Sequence, residues 1–232
     1  MSIVKLLYID DNRINSQIES LRKKLKKQKG LELQEQFLNL GLDEFKKRDK
    51  EHKTVLDDKK IKSHIKETFF NENFDIVISD YDFKDEKVDG YKLISWIKNV
   101  SNSEKARIRR AKFCLYSAQQ DKVVQIFDSP EKIKKLVKLK LDDFIDRTRL
   151  PDELISVINK NENHFNFSET IIKFLNKYPE YKFNSVYPRF KGKELSELSN
   201  EIEKDLPNGI DFQKDLVELT IAHLIALNKY EK

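Results

Sequence analysis

The chain has 232 residues, of which 37% are charged and 38% hydrophobic, with fifteen Phe, eight Tyr, one Cys and a formal net charge of +5. That apolar share suffices for a core and excludes a disordered chain, and a lone cysteine excludes an internal disulfide. The longest apolar stretch, LTIAHLIAL, falls short of the roughly 20 residues that cross a bilayer, and MSIVKLLYID lacks the pattern of an export signal, so a soluble cytoplasmic protein is expected.

The length suits one domain with an appendage or two small domains. Residues 165 to 232 carry ten Lys or Arg against eleven Asp or Glu, which leaves the first 164 residues at 35 against 29. The positive excess lies in clusters such as RKKLKKQK (22 to 29) and RIRR (107 to 110), which read as wet helix faces rather than nucleic-acid patches.

Short apolar runs alternate with helix-period segments, the pattern of a doubly wound α/β domain with a parallel sheet. Strands are expected at 3 to 9, 31 to 37, 75 to 79, 112 to 116 and 142 to 145. Between the first two, Ile14, Ile18, Leu21 and Leu25 recur at three- and four-residue steps and mark a helix with one apolar face. The crossover from 38 to 74 is long, and KKRDKEHK within it is polar enough to be a loop between two helical pieces. A helix starts at Gly90, with Leu93, Ile94 and Ile97 turned to the sheet, and SNSEKARIRR after it reads as loop or frayed helix. Ser129 and Pro130 cap a further helix with Ile133, Leu136 and Val137 on one face, and Pro151 with Asp152 and Glu153 opens another. After Asn163 the alternation stops, and helices are expected at 168 to 178, 193 to 205 and 211 to 230. Nine of the twelve residues from Leu216 to Leu227 are apolar, so the last helix is expected to be sandwiched in the protein or covered by a partner.

Three of the strands stop at chemically useful side chains. Asp10 and Asp11 follow the first, Asp80 the third and Ser117 the fourth, while Arg147 comes two residues past Ile145 in the fifth. The carboxyl ends of parallel strands share one rim, where such sheets bind ligands. Carboxylates gathered there repel one another, and a hard divalent cation relieves this. Mg²⁺ suits the set, since it binds through one or two carboxylates, waters and a phosphate oxygen. A cation site, an acceptor carboxylate, a hydroxyl and a fixed positive charge are the needs of phosphoryl transfer to an aspartate.

In this order and strand context the residues resemble the receiver domain of bacterial two-component response regulators, over residues 1 to 163. Further agreement comes from DGYKLISWIK at Asp89, from Ser117-Ala118, and from DFIDRTRLPDEL, which aligns without gaps on the family's aromatic, aliphatic, any residue, lysine, proline pattern. The resemblance implies a flavodoxin-like fold, Mg²⁺ held by Asp10, Asp11, Asp80 and the backbone carbonyl of Asp82, phosphoryl acceptance on Asp80, and a switch made of Ser117 and Phe144. Two positions depart from the pattern: Arg147 stands where the family has lysine and Thr148 where it has proline. Arginine keeps the charge but brings a rigid planar fork. The loop from Asp80 to Asp89 and the 38 to 74 crossover are also enlarged, which leaves open a phosphorylatable receiver and a pseudo-receiver that is never phosphorylated.

Elsewhere, His52, His64, His164 and His223 have no zinc-like spacing, and His223 shares a stripe with Leu216, Leu219 and Ala226, as a packed or interface residue would. Phe165, Phe167, Tyr178, Tyr181, Phe183, Tyr187 and Phe190 are spaced for packing or a protein interface rather than base stacking. No nucleophile elbow, phosphate-binding glycine loop or catalytic triad is visible. The expectation is a phosphoacceptor signalling protein rather than an enzyme. A receiver at 1 to 163 would take its phosphoryl group from a histidine kinase, with Ser117 and Arg147 assisting. A small all-helical region at 164 to 232 would make a homodimer or effector contact, with neither a membrane nor nucleic acid as partner. Alternatives are a scaffold or phosphate sink, and a transcription regulator with a divergent DNA-binding tail.

Overall fold

Strand β1 (Ile3–Asp10) alternates so that Val4, Leu6 and Tyr8 face one side of the sheet while Leu7 and Ile9 face the other. The computed structural model describes residues 3–85, 87–118, 130–162, 167–183 and 190–230. Helix α1 (Asn15–Lys29) buries Ile18, Leu21 and Leu25 and ends at Gly30, whose φ of 64° gives the left-handed cap favoured by glycine. Strand β2 (Glu32–Asn39) follows and pairs parallel to β1 over its full length.

The long crossover departs from expectation. KKRDKEHK is not simply a loop: between a 3-10 turn at Asp43–Phe45 and one α-helix, α2 (Asp58–Phe69), a two-stranded antiparallel hairpin forms from β3 (Lys46–Arg48) and β4 (Thr54–Leu56). Asp49 turns the hairpin by accepting backbone N–H groups of Glu51 and Lys53 at 2.8 and 3.0 Å. The charged tip hides two strands of three residues each, too short to show alternation.

Strands β5 (Ile76–Asp80), β6 (Lys112–Ser117) and β7 (Asp143–Asp146) complete a five-stranded parallel sheet in the order β2-β1-β5-β6-β7. That is the flavodoxin-like doubly wound order. Helix α3 (Gly90–Ser103) extends into the segment expected as loop or frayed helix, and Arg107–Arg110 adds a 3-10 turn. Helices α4 (Pro130–Leu139) and α5 (Leu150–Glu162) follow. Of the expected apolar face of α4, Ile133 and Val137 are instead exposed while Leu139 packs inward, and the Leu136 side chain lies outside the described residues. The Ser129 cap lies outside the described residues.

Two cores sandwich the sheet. On one face α1 and α5 pack on Leu6, Tyr8, Ile78, Cys114, Tyr116 and Ile145; on the other α2 and α3 pack on Leu7, Ile9, Val77, Phe113 and Leu115. The chain divides into two compact units, Met1–Asn163 and His164–Lys232.

In the second unit α6 (Phe167–Leu175), α7 (Leu195–Glu203) and α8 (Pro207–Tyr230) enclose a small core of Ile171, Leu175, Phe190, Leu198, Ile202 and Phe212. Phe183, Phe190 and Phe212 meet pairwise with ring centroids 5.9 Å apart, so these tail aromatics are packing residues. Tyr178 and Tyr181 lean on each other but stay exposed. His164, Phe165 and Tyr187 lie outside the described residues. The apolar end of α8 is not sandwiched within its unit: Leu219, Ile221, Leu224, Ile225 and Leu227 are each half exposed or more. His223 is exposed with them. No helix among the described residues is long and apolar enough to cross a membrane.

Candidate functional site

The period-two alternation that builds the α1/α5 face of the sheet carries on to its rim. Tyr8 leads to Asp10, Ile78 to Asp80, Cys114 to Tyr116, and Ile145 to Arg147, so the last layer of an apolar face is polar. Asp10 and Asp80 are buried, at 0% and 7% exposure, and Asp11 is half-buried. Among the described residues, one carboxylate oxygen from each of Asp10, Asp11 and Asp80 lies within 4.8 Å of the others.

Small residues bring backbone close to this rim. A Cβ on Gly90 would stand 1.9 Å from the Asp80 carbonyl oxygen, so only glycine lets α3 start beside β5. The Gly90 N–H donates to the Tyr81 carbonyl at 3.0 Å, and Asp89 caps α3 by accepting the Lys92 N–H at 2.7 Å. Gly41 plays the same part after β2, where a Cβ would meet the Asp11 carbonyl oxygen at 2.4 Å.

Charge crowding dominates the electrostatics. Burial, and then the charge of Asp10, push the Asp80 carboxyl up from 3.8 to about 7, against the pull of Arg147 and the Tyr81 and Asp82 amides. Burial also raises Asp10, and a hydrogen bond with Asp11 adds to it, while a hydrogen bond from Tyr116, the Asn12 amide and Arg147 hold it down. Arg147 places Nη2 3.7 Å from Asp10 Oδ2, and its amide donates to the Ser117 carbonyl at 3.0 Å. Two buried acids short of compensating charge, with a third beside them, form a hard all-oxygen donor set that suits Mg²⁺.

The other expected site residues are less concentrated. Ser117 is buried at the end of β6, level with Asp146 of β7. Phe144 is half-buried, its ring edge-on to Tyr81 at 6.3 Å. Asp82 stands in the exposed turn after β5, where its side chain accepts the Lys84 N–H at 2.8 Å. Thr148 donates through both its N–H and its hydroxyl to Asp146 Oδ1, at 2.8 and 2.7 Å, and so closes the turn where the family pattern has proline.

Two residues at or near this rim escape a reading of the sequence. Tyr116 hides in the run KFCLYS, yet its hydroxyl donates to Asp10 Oδ2. The signal was its parity with Cys114, which puts it on the face of the acids. Asp85 accepts the N–H groups of Leu56, Lys87 and Val88 at 2.7, 2.9 and 2.9 Å, and so fastens the loop after Asp80 to the hairpin. Nothing local marks it, since Leu56 is 29 residues away in the chain.

No protein-family model matches the sequence, and no curated protein matches it significantly. Solved structures similar to the chain include the RcsB response regulator of Salmonella typhimurium, at 12% identity and a TM-score of 0.40, covering 94% of this chain and 99% of that one. A DNA-binding response regulator of the LuxR family from Staphylococcus aureus is 19% identical, with a TM-score of 0.38 and coverage of 69% and 99%. The non-phosphorylated receiver domain of the stress response regulator RcsB from Escherichia coli is 13% identical, with a TM-score of 0.38 and coverage of 69% and 95%. At such scores these likenesses carry no argument about activity, and the fold stands on the strand order and register of the sheet itself.

Proposed function

We propose that this protein is a two-component response regulator whose Met1–Asn163 unit accepts a phosphoryl group on Asp80. The observation that carries this reading is the convergence of Asp10, Asp11 and Asp80 within 4.8 Å at the carboxyl rim of a flavodoxin-like sheet, with Arg147 beside them. An Asp80 carboxylate oxygen attacks phosphorus, the new O–P bond forms in line with the bond that breaks, and the leaving group keeps that electron pair. The donor would be a histidine kinase in the cell and a small acyl phosphate in the test tube.

Asp10, Asp11, Asp80 and the Asp82 carbonyl would hold Mg²⁺, which when bound supplies charge neutralisation for the carboxylates and the incoming phosphoryl oxygens. Arg147 offers a fixed positive charge for a phosphoryl oxygen. Ser117 offers a hydroxyl at the neighbouring strand end, and Phe144, edge-on to Tyr81 and packed against the α2/α3 side of the core, would follow it. The His164–Lys232 unit carries the output through protein contact, and the apolar residues left exposed along the end of α8 are its surface.

The test is direct. Incubated with Mg²⁺ and acetyl phosphate, the protein should gain about 80 Da by intact mass, the mass of one phosphoryl group. Asp80→Asn should gain nothing. Equal labelling of the two, or no labelling of either, removes the reading.

A further inference from the structure

Tyr116 is fully buried, and a buried phenol needs a hydrogen-bond partner. Its partner is an acid of the rim rather than a backbone carbonyl nearby: from β6 the side chain passes β5 and donates to Asp10 Oδ2 on β1. The other oxygen of Asp10 accepts the Asn12 N–H at 2.9 Å. Two donors, one on each oxygen, therefore fix the plane of one carboxylate. The guanidinium of Arg147 lies 6.0 Å over the Tyr116 ring and 3.7 Å from the oxygen that Tyr116 holds, so the phenol orders the rim's anion and its cation together.

We propose that Tyr116 is a positioning residue of the acidic site, orienting Asp10 toward a small divalent cation and seating Arg147 against the same oxygen. The proposal rests on the reading of the rim as a Mg²⁺ site. A carboxylate with its plane fixed suits Mg²⁺, which demands near-octahedral geometry, more than Ca²⁺, which tolerates irregular ligands. Outer partners that orient a ligand are typically worth about 10- to 100-fold in metal affinity.

The experiment is calorimetric titration of the full chain with Mg²⁺ and separately with Ca²⁺, for the parent and for Tyr116→Phe, with folding checked by circular dichroism. The expected result is Mg²⁺ affinity about tenfold weaker in the variant and Ca²⁺ affinity changed less than about threefold, a loss of selectivity. A hydroxyl that only satisfied the core would lower stability and leave the ratio of the two affinities alone. That ratio does not depend on the folded fraction, so a partly unfolded variant still decides the matter. Unchanged selectivity overturns the role of Tyr116 and leaves the Mg²⁺ site standing, whereas a parent protein that binds neither ion overturns both.

Discussion

At the scale of single residues, Asp80 is the most consequential group in the fold. Its carboxyl, pushed up from 3.8 to about 7, holds its proton more tightly folded than unfolded. The stability tied to that proton is complete below about pH 4 and is lost as the pH rises through about 7, a change on the order of 4 kcal/mol for a shift of this size. Without divalent cations the protein should therefore weaken between pH 4 and 7. Asp80→Asn, which cannot ionise, should be about 1–3 kcal/mol more stable than the parent at pH 7.5 and should lose most of that advantage by pH 5. Urea denaturation in a chelator at both values checks this. Mg²⁺ should raise the melting temperature of the parent at pH 7.5 and do so much less at pH 5, where Asp80 is protonated.

At the scale of elements, the two enlargements of the chain are one device. The hairpin inserted before α2 and the long loop after β5 meet at Asp85, whose carboxyl is raised by burial but held below the usual range overall by the amides of Leu56, Lys87 and Val88. Asp85→Ala leaves those amides without their acceptor and should cost about 2 kcal/mol, with faster amide exchange in both the hairpin and the loop. Gly90→Ala should cost more, since its methyl would overlap the Asp80 carbonyl and push α3 off the rim. A chemical melt that finds Gly90→Ala as stable as the parent would show that α3 has room to shift. The hairpin also shows where sequence reasoning stops. Lys46–Arg48 and Thr54–Leu56 are each too short for a period-two signal, the first is entirely charged, and Leu56 is tied down by a carboxylate from a distant loop.

At the scale of the whole molecule, the two units differ in how completely they bury themselves. The sheet of Met1–Asn163 is covered on both faces, while within its own unit α8 leaves Leu219, Ile221, Leu224, Ile225 and Leu227 uncovered. An exposed apolar stretch of this length marks an interaction surface. We expect self-association through it: sedimentation velocity should show a concentration-dependent dimer, and Ile221→Glu with Leu224→Glu should return it to monomer without unfolding the small core. A monomer at every concentration would rule out a second copy of the chain as the cover of this surface.

The amino-acid order alone determined the five strands of the main sheet, their parallel arrangement and the placement of Asp10, Asp11, Asp80 and Arg147 at strand ends. Apolar runs and their terminating charges are local, and parallel topology carries every such terminus to one rim. Tertiary structure decided the rest. That Tyr116 reaches Asp10 depends on β5 lying between their strands, that Asp85 serves Leu56 depends on a hairpin invisible as a pattern, and that α8 stays uncovered within its unit depends on how few residues surround it there. Each is a contact between segments distant in the chain, and only the packed backbone sets those distances.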